Sequence, residues 1–277
     1  MIKKSDLLYF HSHNTLMKEE DFLYILPCEP LRPYISHYTI TFPNKQCISD
    51  NYTVIPNASS TIVFGFDGSR IGSTLFGTST LSNKVGEEAN SYQMILIIAL
   101  NPCGLSHFVK INQSELTDRI LPLEDVDIHL YRRIYNAFET SIIIEEILHK
   151  IDCLFLSSLG QKTMNDELKL AVDMTMNSNT PLTVKELSQS VCYSQRHLNR
   201  IFHQYMGISP KSFSRLVRIN KAIKLLKNPQ ITLAQVAQQT GFYDQPHFIH
   251  EFQSICSISP QQYLKNMSDF YNDIKTT

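Results

Sequence analysis

Two short stretches in the C-terminal third carry the side chains best suited to recognition chemistry. After Ser194, apolar Leu198, Ile201, Phe202 and Tyr205 recur at i, i+3, i+4 and i+7, which predicts a helix capped by Ser194 with those four residues inward. The same spacing turns Gln195, Arg196, Asn199, Arg200 and His203 to the opposite face. An arginine can donate two parallel hydrogen bonds to guanine O6 and N7, and Asn or Gln can make the matching pair with adenine. A solvated surface helix is the bland alternative, but this face carries no acid, which favours contact with bases and phosphates. A second helix is expected from Asp244, a good N-cap, with Pro246 harmless in its first turn. Phe248, Phe252 and Ile255 are expected inward, leaving Gln245, His247, His250, Glu251 and Ser254 outside. Neutral imidazoles add no charge and Glu251 would repel phosphate, so the first helix should supply more of the affinity.

Stepping along the chain, Ser209 and Pro210 open a third predicted helix, running to Lys227 and roughly 27 Å long at 1.5 Å per residue. Lys211, Arg215, Arg218, Lys221, Lys224 and Lys227 load it with charge and no acid, a pattern that suits phosphate. Successive major-groove faces on one side of a duplex lie ~34 Å apart, so such a spacer could hold both helices on one face. The whole stretch is an internal repeat. Thr183-Val184-Lys185-Glu186 and Thr232-Leu233-Ala234-Gln235 are both capping boxes, and Ile208-Ser209-Pro210 returns as Ile258-Ser259-Pro260. Two copies of helix, short turn, helix place a second helix of each copy where it can enter a major groove.

Gly241-Phe242-Tyr243-Asp244-Gln245-Pro246-His247-Phe248, then Phe252, then Ile258-Ser259-Pro260-Gln261-Gln262-Tyr263, resembles the signature of AraC/XylS-type transcription regulators. The resemblance extends over residues 162–266 and departs from the usual pattern at Ser257, where glycine is common, and at Leu264, where a basic residue is common. It implies a sequence-specific regulator, expected to activate and to answer to a small-molecule effector. It also aligns Arg196, Asn199 and Arg200 with groove-facing positions. Double-stranded DNA read over two successive turns, RNA polymerase and a second copy of the chain are the partners it implies.

The rest of the chain must position this reader. Net charge is −1, but residues 160–277 hold 13 Lys and Arg against 8 Asp and Glu, so the basic excess lies with the repeat. Residues 35–42, 61–66 and 92–100 are rich in β-branched and aromatic residues, and Asp67-Gly68 is a hairpin-turn pair. Short strands without long intervening helices predict an antiparallel barrel or sandwich, and the resemblance implies a cupin-like β-barrel. Helical spacing resumes at Ile128, Tyr131, Tyr135 and Phe138. A stripe follows in which Ile144, Ile147, Ile151 and Leu154 repeat at 3, 4 and 3, widened by Leu148 and Phe155. Packing on the barrel and pairing with a second copy both fit that stripe. The expectation drawn is that Leu148 and Phe155 face inward while Ile147 and Ile151 face a partner.

The expected class is therefore α+β. Residues 1–159 form an effector-sensing and dimerising barrel with trailing helices, and residues 160–277 form a double helix-turn-helix domain, with the boundary at Leu159-Gly160-Gln161. Six scattered cysteines without a C-x-x-C pair predict neither zinc nor a disulfide framework, and the setting is expected to be a reducing cytoplasm. The N-terminus has no apolar run of signal-peptide or membrane-spanning length. His11-Ser12-His13 with Glu19 and Glu20 is a weak match to a cupin metal box, and Cys103 is expected to be an inert loop thiol, so no catalytic residue, metal or cofactor is assigned. Two competing readings are a cupin-type metalloenzyme with a DNA-binding appendage and a DNA reader whose β half is only a ligand-free dimeriser.

Overall fold

The computed structural model describes residues 2–45, 48–159, 165–178 and 180–266. Its N-terminal half is built on nine strands, β1 Thr15–Lys18, β2 Phe22–Ile25, β3 Ile35–Thr41, β4 Thr53–Val54, β5 Thr61–Phe66, β6 Ile71–Phe76, β7 Asn83–Lys84, β8 Met94–Leu100 and β9 Ile120–Leu121. Seven of them form one antiparallel sheet in the order β1-β2-β3-β8-β5-β6-β9, and β4 pairs with β7 separately. Among the described residues no ladder joins β1 to β9, so the expected barrel is seen as an open sheet with a small second sheet. β8 lies at its centre, which explains its unbroken apolar run, since a strand covered on both faces needs no polar alternation. The predicted hairpin forms at Asp67-Gly68, where Asp67 Oδ1 accepts from the Ser69 and Arg70 amides at 2.7 and 2.8 Å.

Four single-turn helices decorate this half, α1 Asp6–Tyr9, α2 Gly86–Ala89, α3 Leu105–Phe108 and α4 Leu123–Val126. Two long ones, α5 Ile128–Thr140 and α6 Ile144–Ser158, share a core with Ile62, Phe64, Leu96 and Ile98 of the sheet. Tyr38 Oη donates to Asp152 Oδ1 at 2.8 Å and the Cys28 amide to Asp152 Oδ2 at 3.1 Å, which ties α6 to β3. The partner-facing expectation for α6 is corrected here. Ile144, Ile147, Ile151 and Leu154 are all buried at 5% exposure or less, together with Leu148 and Phe155, in the core of their own chain. The stripe is wide because one helix fills the groove between the sheet and α5, not because it serves two partners.

The C-terminal half is helical throughout, with α7 Asp166–Asn177, α8 Val184–Ser190, α9 Gln195–Met206, α10 Pro210–Leu226, α11 Leu233–Gln239, α12 Gln245–Cys256 and α13 Pro260–Asn266. Both capping boxes close. Glu186 and Thr183 exchange bonds of 3.1 and 2.8 Å, and Gln235 and Thr232 exchange bonds of 3.3 and 2.8 Å. Of the predicted boundary, Gly160 and Gln161 lie outside the described residues, as does Cys47. The halves are in contact: Ala58 and Cys103 of the β half join the apolar core of the helical half.

Candidate nucleic-acid interface

α9 forms as its sequence dictates. Ser194 Oγ accepts from the His197 amide at 3.2 Å, Leu198, Ile201, Phe202 and Met206 are buried, and Gly207 closes the helix at φ 83°. Gln195, Arg196, Arg200 and His203 are exposed as expected. Asn199 is half-buried, its Nδ2 donating to the Gln195 carbonyl at 2.8 Å, and Arg200 Nη2 lies 3.4 Å from His197 Nδ1. These contacts are local and weak, so the face can exchange them for base edges.

α12 begins where Asp244 Oδ1 accepts from the His247 amide at 2.7 Å, and Gln245, His247 and His250 are exposed. Here the structure corrects the sequence reading at Glu251. That side chain is buried at 7% exposure and bridges Arg215 Nε at 2.5 Å and Arg218 Nη2 at 3.1 Å. Arg218 also stacks on Phe242, its Cζ 4.2 Å from the ring centroid, and burial draws its pKa down while Glu251 holds it up. Two cations assigned to phosphate are therefore the clamp that fixes α12 against the spacer α10. Lys221 is corrected as well: its Nζ donates to the Ser178 carbonyl at 2.6 Å, tying α10 to the end of α7, and burial lowers its pKa. Lys211 remains exposed at the start of α10.

Tyr243, which the sequence reading passed over, is 92% exposed on the turn between α11 and α12. It follows buried Phe242 and precedes the cap Asp244, a position beside the predicted groove-entering end of α12. Its backbone amide lies 3.4 Å from His247 Nδ1.

Elsewhere, burial raises the pKa of the Cys103 thiol well above its ordinary value, and Cys103 packs against the helical half. His11 Nδ1 lies 2.9 Å from the Tyr9 carbonyl. Among the described residues no three His, Cys, Asp or Glu side chains cluster as a metal ion would require. No described helix is long and apolar enough to cross a membrane.

Among the described residues, four hydrogen bonds hold the β half to both motifs and to the spacer between them. Thr117 Oγ1 donates to the Gly207 carbonyl at 2.8 Å, at the end of α9. The Ser82 amide donates to the Ile255 carbonyl at 3.0 Å and Ser82 Oγ to Ser257 Oγ at 3.2 Å, at the end of α12. Between them, Asn220 Nδ2 on α10 donates to the Pro56 carbonyl at 2.8 Å.

Two helix-turn-helix units of like construction, joined by one spacer helix, make the C-terminal half a bipartite helix-turn-helix domain. Comparison with known proteins agrees: residues 187–266 match the model of a helix-turn-helix domain, and residues 24–122 match that of a domain of unknown function. Over 89 residues the chain is 33% identical to the HTH-type transcriptional regulator ArgR of Pseudomonas aeruginosa, covering 32% of this chain and 27% of that one. It is 31% identical over 91 residues to the arabinose operon regulatory protein of Escherichia coli, covering 33% and 31% of the two chains. It is 25% identical over 207 residues to the lactose operon transcription activator of Staphylococcus xylosus, covering 74% and 66%. The helical half is thus similar to the helix-turn-helix regions of these transcription regulators. Several of the curated relatives are matched over less than two fifths of their length.

Proposed function

We propose that this chain is a sequence-specific DNA-binding transcription regulator that lays α9 and α12 into successive major grooves of one duplex. The observation that carries the reading is the outward face of α9, where Gln195, Arg196, Asn199, Arg200 and His203 meet no acid. Arg196, Asn199 and Arg200 read base edges in this scheme, with His203 and Lys211 toward the backbone. Gln245, His247 and His250 make the poorer second surface. Arg215, Arg218 and Lys221 contribute by setting the angle between the two motifs. The β half senses a small-molecule effector and pairs two copies, through a surface other than the buried stripe of α6. RNA polymerase is the downstream partner, activation the sign of control and the cytoplasm the setting, a reading in keeping with the relative named for activating the lactose operon. No catalytic step is assigned to it.

Selection of bound sequences from a random pool, with the full chain, supplies the operator and the test. Arg200→Ala should then cost ~1–3 kcal/mol and relax preference at one position. Lys211→Ala should weaken all sequences alike and lower the salt slope by about one. Unchanged affinity and preference in Arg200→Ala would remove α9 as the reader.

A further inference from the structure

The β-sheet has two unlike faces. On one, Ile62, Phe64, Leu75, Leu96 and Ile98 are sealed at 1% exposure or less beneath α5 and α6. The other face carries Val63, Thr74, Phe76, Ile95 and Ile97 and is roofed, among the described residues, by β4, β7, the segment around α2 and the stretch that follows β4. Between sheet and roof lies a cavity of about 120 Å³. For scale, an apolar cavity of about 150 Å³ stays dry and takes up a benzene ring.

The lining is chemically one-sided. Among the described residues around it there is no lysine, arginine or histidine, and Glu88, the one charged residue, is exposed. An anion buried here would meet no counter-charge, and leaving water unpaired costs an ion far more than an apolar ring gains. The other polar groups of the lining are neutral, hydroxyls and amides such as Thr61, Thr74, Asn83 and Tyr92. The Tyr92 ring lies across the bare backbone of Gly65 and Gly72, which face each other in the β5–β6 ladder. A Cβ on Gly65 would sit 2.5 Å from the ring and one on Gly72 3.3 Å from the hydroxyl, so Gly65 makes room for the ring and a side chain at 72 would crowd its hydroxyl. Burial, with the Glu88 and Asp67 carboxylates, raises the pKa of that hydroxyl and keeps it a neutral donor for a ligand.

We infer that this cavity takes an uncharged molecule about the size of one six-membered ring, mainly apolar and carrying a neutral hydrogen-bonding group. The inference rests on the effector reading above and narrows it to a ligand class. Three probes share one ring and differ in charge: benzyl alcohol, benzoate and benzylamine. Each is titrated into the full chain, wild type and Val63→Phe, by calorimetry and by the shift in melting temperature. Benzyl alcohol should bind at least tenfold more tightly than either ion, and Val63→Phe, which fills the cavity, should abolish that binding. If Val63→Phe fails to fold, Gly72→Ala, which crowds Tyr92 by one methyl, takes its place with the same expectation. Benzoate or benzylamine binding as well as the alcohol, and lost in the variant, overturns the class while the effector reading stands. No difference between wild type and variants with all three probes overturns the cavity as a ligand site, while the effector reading is tested separately by whether any metabolite changes operator binding by the full chain.

Discussion

Glu251→Gln isolates the charge at the centre of the α10–α12 clamp while preserving its shape. In the wild type the carboxylate is buried at 7% exposure and accepts from two guanidiniums, Arg215 with a side chain 42% exposed and Arg218 at 18%. Solvent screens the first, which contributes like a surface pair, between nothing and about 1 kcal/mol. The second is half-buried against Phe242, so most of the loss comes from Arg218 left without a counter-ion. Exchanging a charge-assisted bond for a neutral one costs about 1 kcal/mol per bond, and the stranded guanidinium adds to it, for a sum of about 2–3 kcal/mol. Thermal unfolding of the full chain should show the midpoint falling by roughly 10 °C if the helical half melts as a unit of about 100 residues. The fall should persist in high salt, because the inner pair is shielded from the Debye atmosphere. The repeat supplies a rescue. The first copy has Ile201 where the second has Glu251, so Glu251→Ile combined with Arg218→Met should recover most of the loss by replacing ion pair with apolar contact. A Glu251→Gln protein that melts within a degree of wild type would refute the clamp and return Arg215 and Arg218 to the solvent-facing, phosphate-seeking role.

Three further outcomes are expected. Ser257 holds φ 60°, a left-handed cap that glycine adopts without strain, so Ser257→Gly should raise the stability of the helical half by about 0.5 kcal/mol in denaturant titration, net of the lost Ser82 contact. Gly207→Ala should lower the melting temperature and speed amide exchange at residues 113–117, because a Cβ there would lie 2.3 Å from Thr117 Oγ1 and 2.7 Å from the Gln113 carbonyl, on a backbone already at φ 83°. His37 is buried and its pKa is lowered to about 4, so the unfolded chain, near 6.5, takes the proton first. Stability should be full above pH ~6.5 and fall by about 3 kcal/mol as pH drops toward 4, a slope that His37→Gln should flatten in acid melts.

The helical half was legible because its signals are local. Capping boxes at Thr183 and Thr232, caps at Ser194 and Asp244 and a proline at the head of α10 each state a helix boundary within four residues. Glu251 was misplaced although its signal was present. It sits at i+3 in the stripe Phe248, Glu251, Phe252, Ile255, the spacing that put Ile201 inward in the first copy. A charge at a core position was read by its polarity and not by its phase. What periodicity could not supply was the partner, since Arg215 and Arg218 lie more than thirty residues away. The stripe of α6 failed for a related reason. A seam with spacing 3, 4, 3 looks alike whether a sheet or a sister helix covers it, and only the tertiary structure shows that the sheet does. Sheet closure was likewise invisible, because strand runs specify pairing but not whether the two edge strands meet.

The cavity wall and the docking ledge for the helical half are made from the same segments of chain, and this follows from the topology. The segment between β4 and β5 must cross from the small sheet to the large one, so it roofs the cavity, with Pro56 in its lining. The Pro56 carbonyl points the other way and accepts from Asn220 in the middle of the spacer. The segment from Gly77 to Ser82 repeats the arrangement: Gly77 and Ser79 line the cavity, and Ser82 holds the end of α12. The end of α9 is reached through one more link, since the Asp118 amide donates to the Thr78 carbonyl beside Thr117, which grips Gly207. A ligand that displaced either wall would therefore act on hydrogen bonds to the spacer and to both motifs, with no separate transmitting element needed. Coupling of this kind requires only that the occupied and empty cavities differ in free energy between docked and released arrangements. The spacing of the two reading helices is set within the helical half by Glu251 and its arginines, so release would free the reader as one piece. A regulator built this way changes how its reader is held before it changes what the reader recognises.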